Sequence, residues 1–219
     1  MNKIKGKLNT VKVIALNGSP KRKGNTYHAL RVLGNELEAA GIEFEILQIG
    51  HLNVRGCMGC LKCYDNLDGK CSISGDDFND QLPKIMVADG LVLGSPVHYS
   101  GIAGTMKSFL DRLFYVSGAN GNWFRHKVGA AVVAVRRSGG SSTLDGLNHY
   151  LNYSEMIIAT ANYWNIIHGS TPGEAAKDTE GVQIMRVLGK NMAWIMMMKE
   201  SSTVIPPEKE KKEKMSFIR

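Results

Sequence analysis

The chain has 219 residues, 43% of them apolar, enough to core one α/β domain with extensions. No apolar run approaches the ~18 residues that a membrane helix needs, and the basic start MNKIKGKLNT lacks the apolar stretch of a signal peptide, so the expected location is the cytoplasm. The formal charge of +7 gathers at the ends: Lys3, Lys5, Lys7 and Lys12 bring +4 and residues 206–219 a further +2, which leaves a nearly neutral body without the basic stripe of a nucleic-acid binder.

The first element expected is a buried strand over 11–16, which empties into Asn17-Gly18-Ser19-Pro20. A helix-period pattern resumes near Thr26 (Leu30, Leu33, Leu37) and stops near Gly41. A strand that opens through a Gly/Ser/Asn/Thr loop into a helix is a phosphate-binding arrangement, because backbone N–H groups and the positive end of the helix dipole converge there. Ser19, Asn25 and Thr26 add side-chain donors, and Lys21, Arg22 and Lys23 add charge. The loop matches neither G-x-x-x-x-G-K-[ST] nor G-x-G-x-x-G, so a mononucleotide phosphate is the expected ligand.

A second strand is expected over 42–49, then a cysteine- and glycine-rich loop over 56–75. Asp76 or Asp77 reads as the cap of a helix toward Ala88, in which Pro83 must lie in the first turns or kink the helix. Residues 91–93 read as a short strand broken by Gly94-Ser95-Pro96, and a helix follows over 103–115. Asp111 and Arg112 are expected on its surface. The cleanest strand is 128–135, ending at Arg136-Arg137-Ser138-Gly139-Gly140. A helix over 143–151, a last strand within 157–167 and a last helix over 181–200 complete the pattern. Strands that alternate with helices and are apolar throughout predict a parallel sheet covered on both faces. Ligands of such sheets sit beyond the carboxyl ends of the strands, so the loops 17–25, 95–101 and 137–142 are expected to build one pocket.

Taken together, NGSPKRKGNT and GSPVHYSGIAGTMKSFLDR resemble the flavodoxin-like NAD(P)H-dependent FMN reductase family, with the likeness running through most of 11–200. The resemblance implies a flavodoxin-like, doubly wound, five-stranded parallel sheet that carries FMN. It implies that Ser19, Lys21, Lys23, Asn25 and Thr26 hold the phosphate and that Pro96, Val97, His98, Tyr99 and Ser100 line the flavin ring. Ser138, Gly139 and Gly140 would close the pocket at the ring's polar edge. The family often has an aromatic residue where His98 stands, and this chain departs from it there. Independently of the family, Gly101, Gly139 and Gly140 would let backbone approach a flat ring edge. Arg136 or Arg137 is a candidate to sit near the ring, with a surface ion pair as the alternative.

The four cysteines, Cys57, Cys60, Cys63 and Cys71, share one loop with the spacing C-x2-C-x2-C-x7-C. Three evenly spaced thiolates suit a cubane iron–sulfur cluster better than the two separated knuckles of a zinc site, although zinc or free redox-active thiols remain open at this point. The motif resembles that of the iron–sulfur flavoproteins, a branch of the same family that holds a [4Fe–4S] cluster with four such cysteines.

The function implied is an FMN-dependent oxidoreductase that takes a hydride from NAD(P)H, or electrons from a donor such as ferredoxin through the cluster, and reduces a small acceptor such as a quinone, flavin, nitro compound or metal ion. A non-catalytic electron carrier and a zinc-stapled binding domain are the alternatives. The expected parts are an extension over 1–10, one domain over 11–200 and a charged, solvated tail over 201–219. A homodimer or homotetramer is expected. Trp123, Phe124, Tyr163 and Trp164 read as core aromatics and Met196 to Met198 as core filling, with roles at a subunit contact as the alternative. His149 and His168 read as ordinary polar residues.

Overall fold

The computed structural model describes residues 11–213 and 215–218. The expected extension over 1–10 lies outside them. In chain order the elements are β1 (Lys12–Asn17), α1 (Asn25–Ala39), β2 (Glu43–Gln48), α2 (Lys62–Asn66), α3 (Phe78–Met86), β3 (Gly90–His98), β4 (Gly101–Ile102), α4 (Gly104–Ala119), β5 (Val128–Val135), α5 (Gly140–Tyr153), β6 (Ile157–Ile158), β7 (Ile166–His168) and α6 (Thr179–Ser201), with a 3-10 turn (Glu174–Lys177) before α6. Among the described residues no helix is long and apolar enough to cross a membrane.

The strands form a sheet in the order β2-β1-β3-β5-β6, with β7 also on β5 and β4 turned back antiparallel on β3. All other pairings are parallel. Successive residues of β1 serve opposite faces, which is why the strand is apolar throughout. Val13 and Ala15 join α1 and α6 in one core, while Ile14 and Leu16 join α3, α4 and α5 in the other. The chain leaves β1 toward β2 and returns on the other side as β3, so the strand order reverses between β1 and β3. A crevice opens at their carboxyl ends.

Three differences from the sequence reading have physical causes. First, β3 does not stop at Leu93 but runs through Gly94-Ser95-Pro96 to His98. Gly94 is required by close approach, since a Cβ there would stand 2.9 Å from Leu30 Cδ1 on α1. Its carbonyl accepts from Gly18 N at 2.8 Å, so Gly94 and, two residues on, Pro96 both turn toward β1. The β1–β3 ladder ends at Asn17 opposite Gly94, and the missing N–H of Pro96 therefore costs no strand-to-strand bond. Second, there are seven strands where five were expected. The fifth position is split, with β6 beside Val128–Gly129 and β7 beside Val133–Val135, and residues 160–164 loop outward between them. That loop exposes Tyr163 and Trp164, which therefore are not core residues. Third, the cysteine loop contains the short helix α2. Phe124 and Met196 are buried as expected, whereas Met197 and Met198 are exposed.

Replacing Gly94 by Ala should destabilise the protein by about 1–3 kcal/mol through overpacking against α1. Pairing it with Leu30→Ala, which vacates the contested space, should give a double mutant less destabilised than the sum of the two singles in a denaturant titration.

Candidate functional site

The loop after β1 is held from below by the amide of Asn17, which is fully buried. Its Oδ1 accepts from Ser19 N at 3.1 Å, and its Nδ2 donates to Gln48 Oε1 at 2.6 Å. Gln48 in turn donates from Nε2 to the Ser19 carbonyl at 2.6 Å. Ser19 Oγ accepts from Lys21 N at 3.1 Å and fixes the next turn. Helix α1 then begins behind Gly24 without any side-chain cap, so its first N–H groups lack intrahelical partners and point out of the helix end. Thr26 is 1% exposed, and its Oγ1 makes no hydrogen bond. Buried hydroxyls are normally paired, so an unpartnered one at an uncapped helix N-terminus suits an incoming anion.

These groups face a crevice of about 180 Å³ lined by Ser19, Lys21, Asn25, Thr26, Pro96, Val97, His98 and Arg136, among others. That is smaller than the ~300–1,000 Å³ of an enclosing small-molecule pocket, so the crevice has room for one end of a ligand and not for the whole of it. The remaining wall is the segment after β7, with Gly169, Ser170 and Pro172, which the sequence reading missed. Asn25 ties that wall to the first loop, its Oδ1 accepting from Ala175 N at 3.3 Å.

The other expected residues do not line this crevice. Lys23 is exposed and does not line it. Tyr99 and Ser100 form the two-residue turn between β3 and β4 with φ of 49° and 58°, and the Tyr99 side chain stands free in solvent. Gly139, with φ of 84°, lies against Ser100, where a Cβ would come within 2.8 Å of its Cα. Ser142 Oγ donates to the Ser100 carbonyl at 2.9 Å and clasps the two loops together. Ser138 is exposed, and Gly140 is buried as the first residue of α5. The three loops thus share one end of the sheet, the third standing behind the second rather than in the crevice wall. A larger cavity of about 370 Å³ between α2, α4 and α5 is lined by Tyr64, Phe114, Tyr150 and Tyr153. It lies away from the strand ends and has no comparable anion anchor.

The four cysteines are all free thiols. Cys63 is buried, and burial pushes its pKa up, helped by the nearby Cys71, Cys57 and Cys60. Cys60 is exposed, with its pKa lowered by Ser72 Oγ, 3.5 Å away, and by the Lys62 backbone. Among the described residues no three His, Cys, Asp or Glu side chains stand in ligating geometry.

Arg112, expected on the surface of α4, is fully buried beneath this loop. Its guanidinium pairs with Asp76, whose expected role was a cap. Asp76 does accept from Phe78 N at 3.3 Å, but it also takes both arms of Arg112. Burial disfavours the Asp76 carboxylate, yet Arg112 and the Arg55 and Phe78 N–H groups outweigh that and hold its pKa below the ordinary value. Asp77 stands at the N-cap of α3 as expected, but its carboxylate accepts from Asn53 N at 2.8 Å and makes no capping bond to the helix.

The family model for NADPH-dependent FMN reductase matches residues 11–171. The chain is 33% identical over 195 residues to an iron–sulfur flavoprotein of Methanocaldococcus jannaschii, covering 86% of this chain and 98% of that protein. It is 28% identical over 191 residues to an iron–sulfur flavoprotein of Methanosarcina thermophila, covering 85% and 95%. Among solved structures it resembles RosB with bound 8-demethyl-8-formylriboflavin-5'-phosphate (TM-score 0.67, 14% identity, 95% and 97% of the two chains). It also resembles an NAD(P)H:quinone oxidoreductase of Methanothermobacter marburgensis (TM-score 0.63, 17% identity, 84% and 96%). At those identities the two structures speak for the fold.

Thr26→Val keeps the shape of the side chain and removes the orphan hydroxyl. Thermal stability is expected to hold or rise, because an unsatisfied buried group disappears, while affinity for a phosphate-bearing ligand such as FMN falls about tenfold by flavin-fluorescence titration, the worth of one hydrogen bond at ~1.4 kcal/mol.

Proposed function

The chain belongs to the NADPH-dependent FMN reductase family, in its iron–sulfur flavoprotein branch, and from that premise we propose that it moves electrons from a nicotinamide donor through FMN to a small acceptor. The observation that carries the reading is the unpartnered Thr26 hydroxyl at the uncapped start of α1, in a crevice open on one side. The amides of the loop, Ser19 and Thr26 would hold the phosphate, with Lys21 supplying charge. Pro96, Val97 and His98 would support the edge of the ring system, and Arg136 would bring a positive charge to the same wall. Bound flavin supplies the hydride and electron chemistry, and a cluster at the cysteines would supply single-electron transfer. The chain's own task is to fix the phosphate, keep one ring face open to donor and acceptor, and exclude water from the other.

Cys57, Cys60, Cys63 and Cys71 are proposed as ligands of a [4Fe–4S] cluster. Four free thiols in one loop, at the spacing C-x2-C-x2-C-x7-C, are the donor chemistry that such a cluster needs. A donor such as ferredoxin, delivering single electrons through the cluster, would be the alternative to the nicotinamide, and a homodimer or homotetramer in the cytoplasm completes the proposal. Steady turnover with NADH or NADPH separates this enzyme from a non-catalytic carrier, which would show almost none.

Anaerobic purification followed by a visible spectrum and flavin and iron analysis tests both cofactors at once. Ser19→Asp puts a carboxylate against the phosphate and is expected to release FMN into the flow-through of a desalting column, and retention at parental affinity would overturn the loop assignment. Cys60→Ala is expected to lose its iron while keeping its FMN, and full iron content in that variant would refute the four-cysteine site.

A further inference from the structure

Arg112 has five N–H donors, and all five are used. Nε donates to Cys71 Sγ at 3.3 Å. One terminal nitrogen donates to the Arg55 carbonyl at 3.1 Å and to Asp76, and the other to the Ile73 carbonyl and to Asp76, each at 3.2 Å. The flat face of the guanidinium lies over the Phe78 ring, 4.1 Å from its centroid. Arg55 stands two residues before Cys57 and Ile73 two residues after Cys71, so one planar group grips both ends of the segment that carries the four thiols.

Resting on the reading of those thiols as cluster ligands, we propose that Arg112 is the positioning residue of the cysteine loop, clamping both ends of the segment that carries the four thiols and donating to Cys71 a hydrogen bond that would make a bound cluster easier to reduce. The clamp is reinforced from the same side. Asp76 accepts from Arg55 N at 3.1 Å, and Asp77 N donates to the Asn53 carbonyl at 3.1 Å. Asn79 exchanges two 2.9 Å bonds with the backbone of Cys71.

The electrostatic part follows from the pairing. Asp76 neutralises the net charge of Arg112, so what reaches the sulfur is a directed N–H dipole rather than a free cation. An electron added to a cluster raises the negative charge on its sulfurs, and a fixed donor stabilises that form more than the oxidised one. Lysine cannot substitute, having three donors around a point and no planar fork.

The test uses the full chain, purified anaerobically and loaded with ferrous iron and sulfide, as parent, Arg112→Lys and Arg112→Gln, with FMN content reporting the fold. Both variants are expected to lose iron to a chelator at least tenfold faster than the parent. In Arg112→Gln the cluster potential, followed by electron paramagnetic resonance, is expected to move negative of the parent while that of FMN stays. Parental iron retention and parental potential in both variants overturn the proposal. Hydrogen exchange on the iron-free parent tests the clamp without any variant: the amides of Arg55, Cys71 and Asp77 are expected to be protected, and exchange at the rate of an unstructured segment overturns it. A parent that binds no iron fails the cluster reading instead, and the exchange measurement still decides on the clamp.

Discussion

A single buried carboxamide, that of Asn17, governs the working end of this molecule. At the last residue of β1 the chain must leave the sheet while keeping several amides unpaired, a state that backbone groups avoid. Asn17 makes it tolerable by binding Ser19 N and Gln48, while Gln48 binds the Ser19 carbonyl. Asn17 and Gln48 are register partners across β1 and β2, so the brace follows from the sheet itself. With the loop held from beneath, the uncapped turn of α1 and the Thr26 hydroxyl can stay ready for an anion without collapsing on each other.

The second site is built on a different logic. The crevice presents amides, hydroxyls and exposed cations at the strand ends and the start of α1, whereas the cysteine loop, with little regular structure of its own, is organised around one buried ion pair. Taking a guanidinium out of water is costly, and a lone buried pair is weak evidence for stability. Here the cost is offset by five hydrogen bonds and a ring face, and the return is a defined shape for a loop with no sheet to lean on. Both sites draw on the same face of the fold through α4: its start follows the β3–β4 hairpin beside the crevice, and Arg112 on its middle turns reaches Cys71.

Much of this was legible from residues. Strands β1 and β5 and helix α1 declare themselves because uninterrupted apolar runs and a clean Leu30, Leu33, Leu37 spacing leave few alternatives. The length of β3 was not legible, because Gly-Ser-Pro has the composition of a break and only the packing of Leu30 shows why the glycine belongs inside the strand. The split fifth position was hidden for a similar reason, since ATANYWN carries no strand period. Arg112 was misread on the prior that charge lies outside, although its place was signalled: it falls on the same helical stripe as Phe109, Leu113 and Val116. Gly169, Ser170 and Pro172 carried no signal of their own, because they join the crevice only through the topology that sets β7 beside β5.

The hairpin that closes β3 places two L-residues in the left-handed region, a conformation that asparagine and glycine adopt far more readily. Each such residue holds about 1–3 kcal/mol of local strain. A chain shaped for durability alone would carry Asn-Gly there. Tyr-Ser instead displays a fully exposed phenol next in the chain to His98 of the crevice wall, and at this corner the molecule carries a strain that such a turn would have spared it.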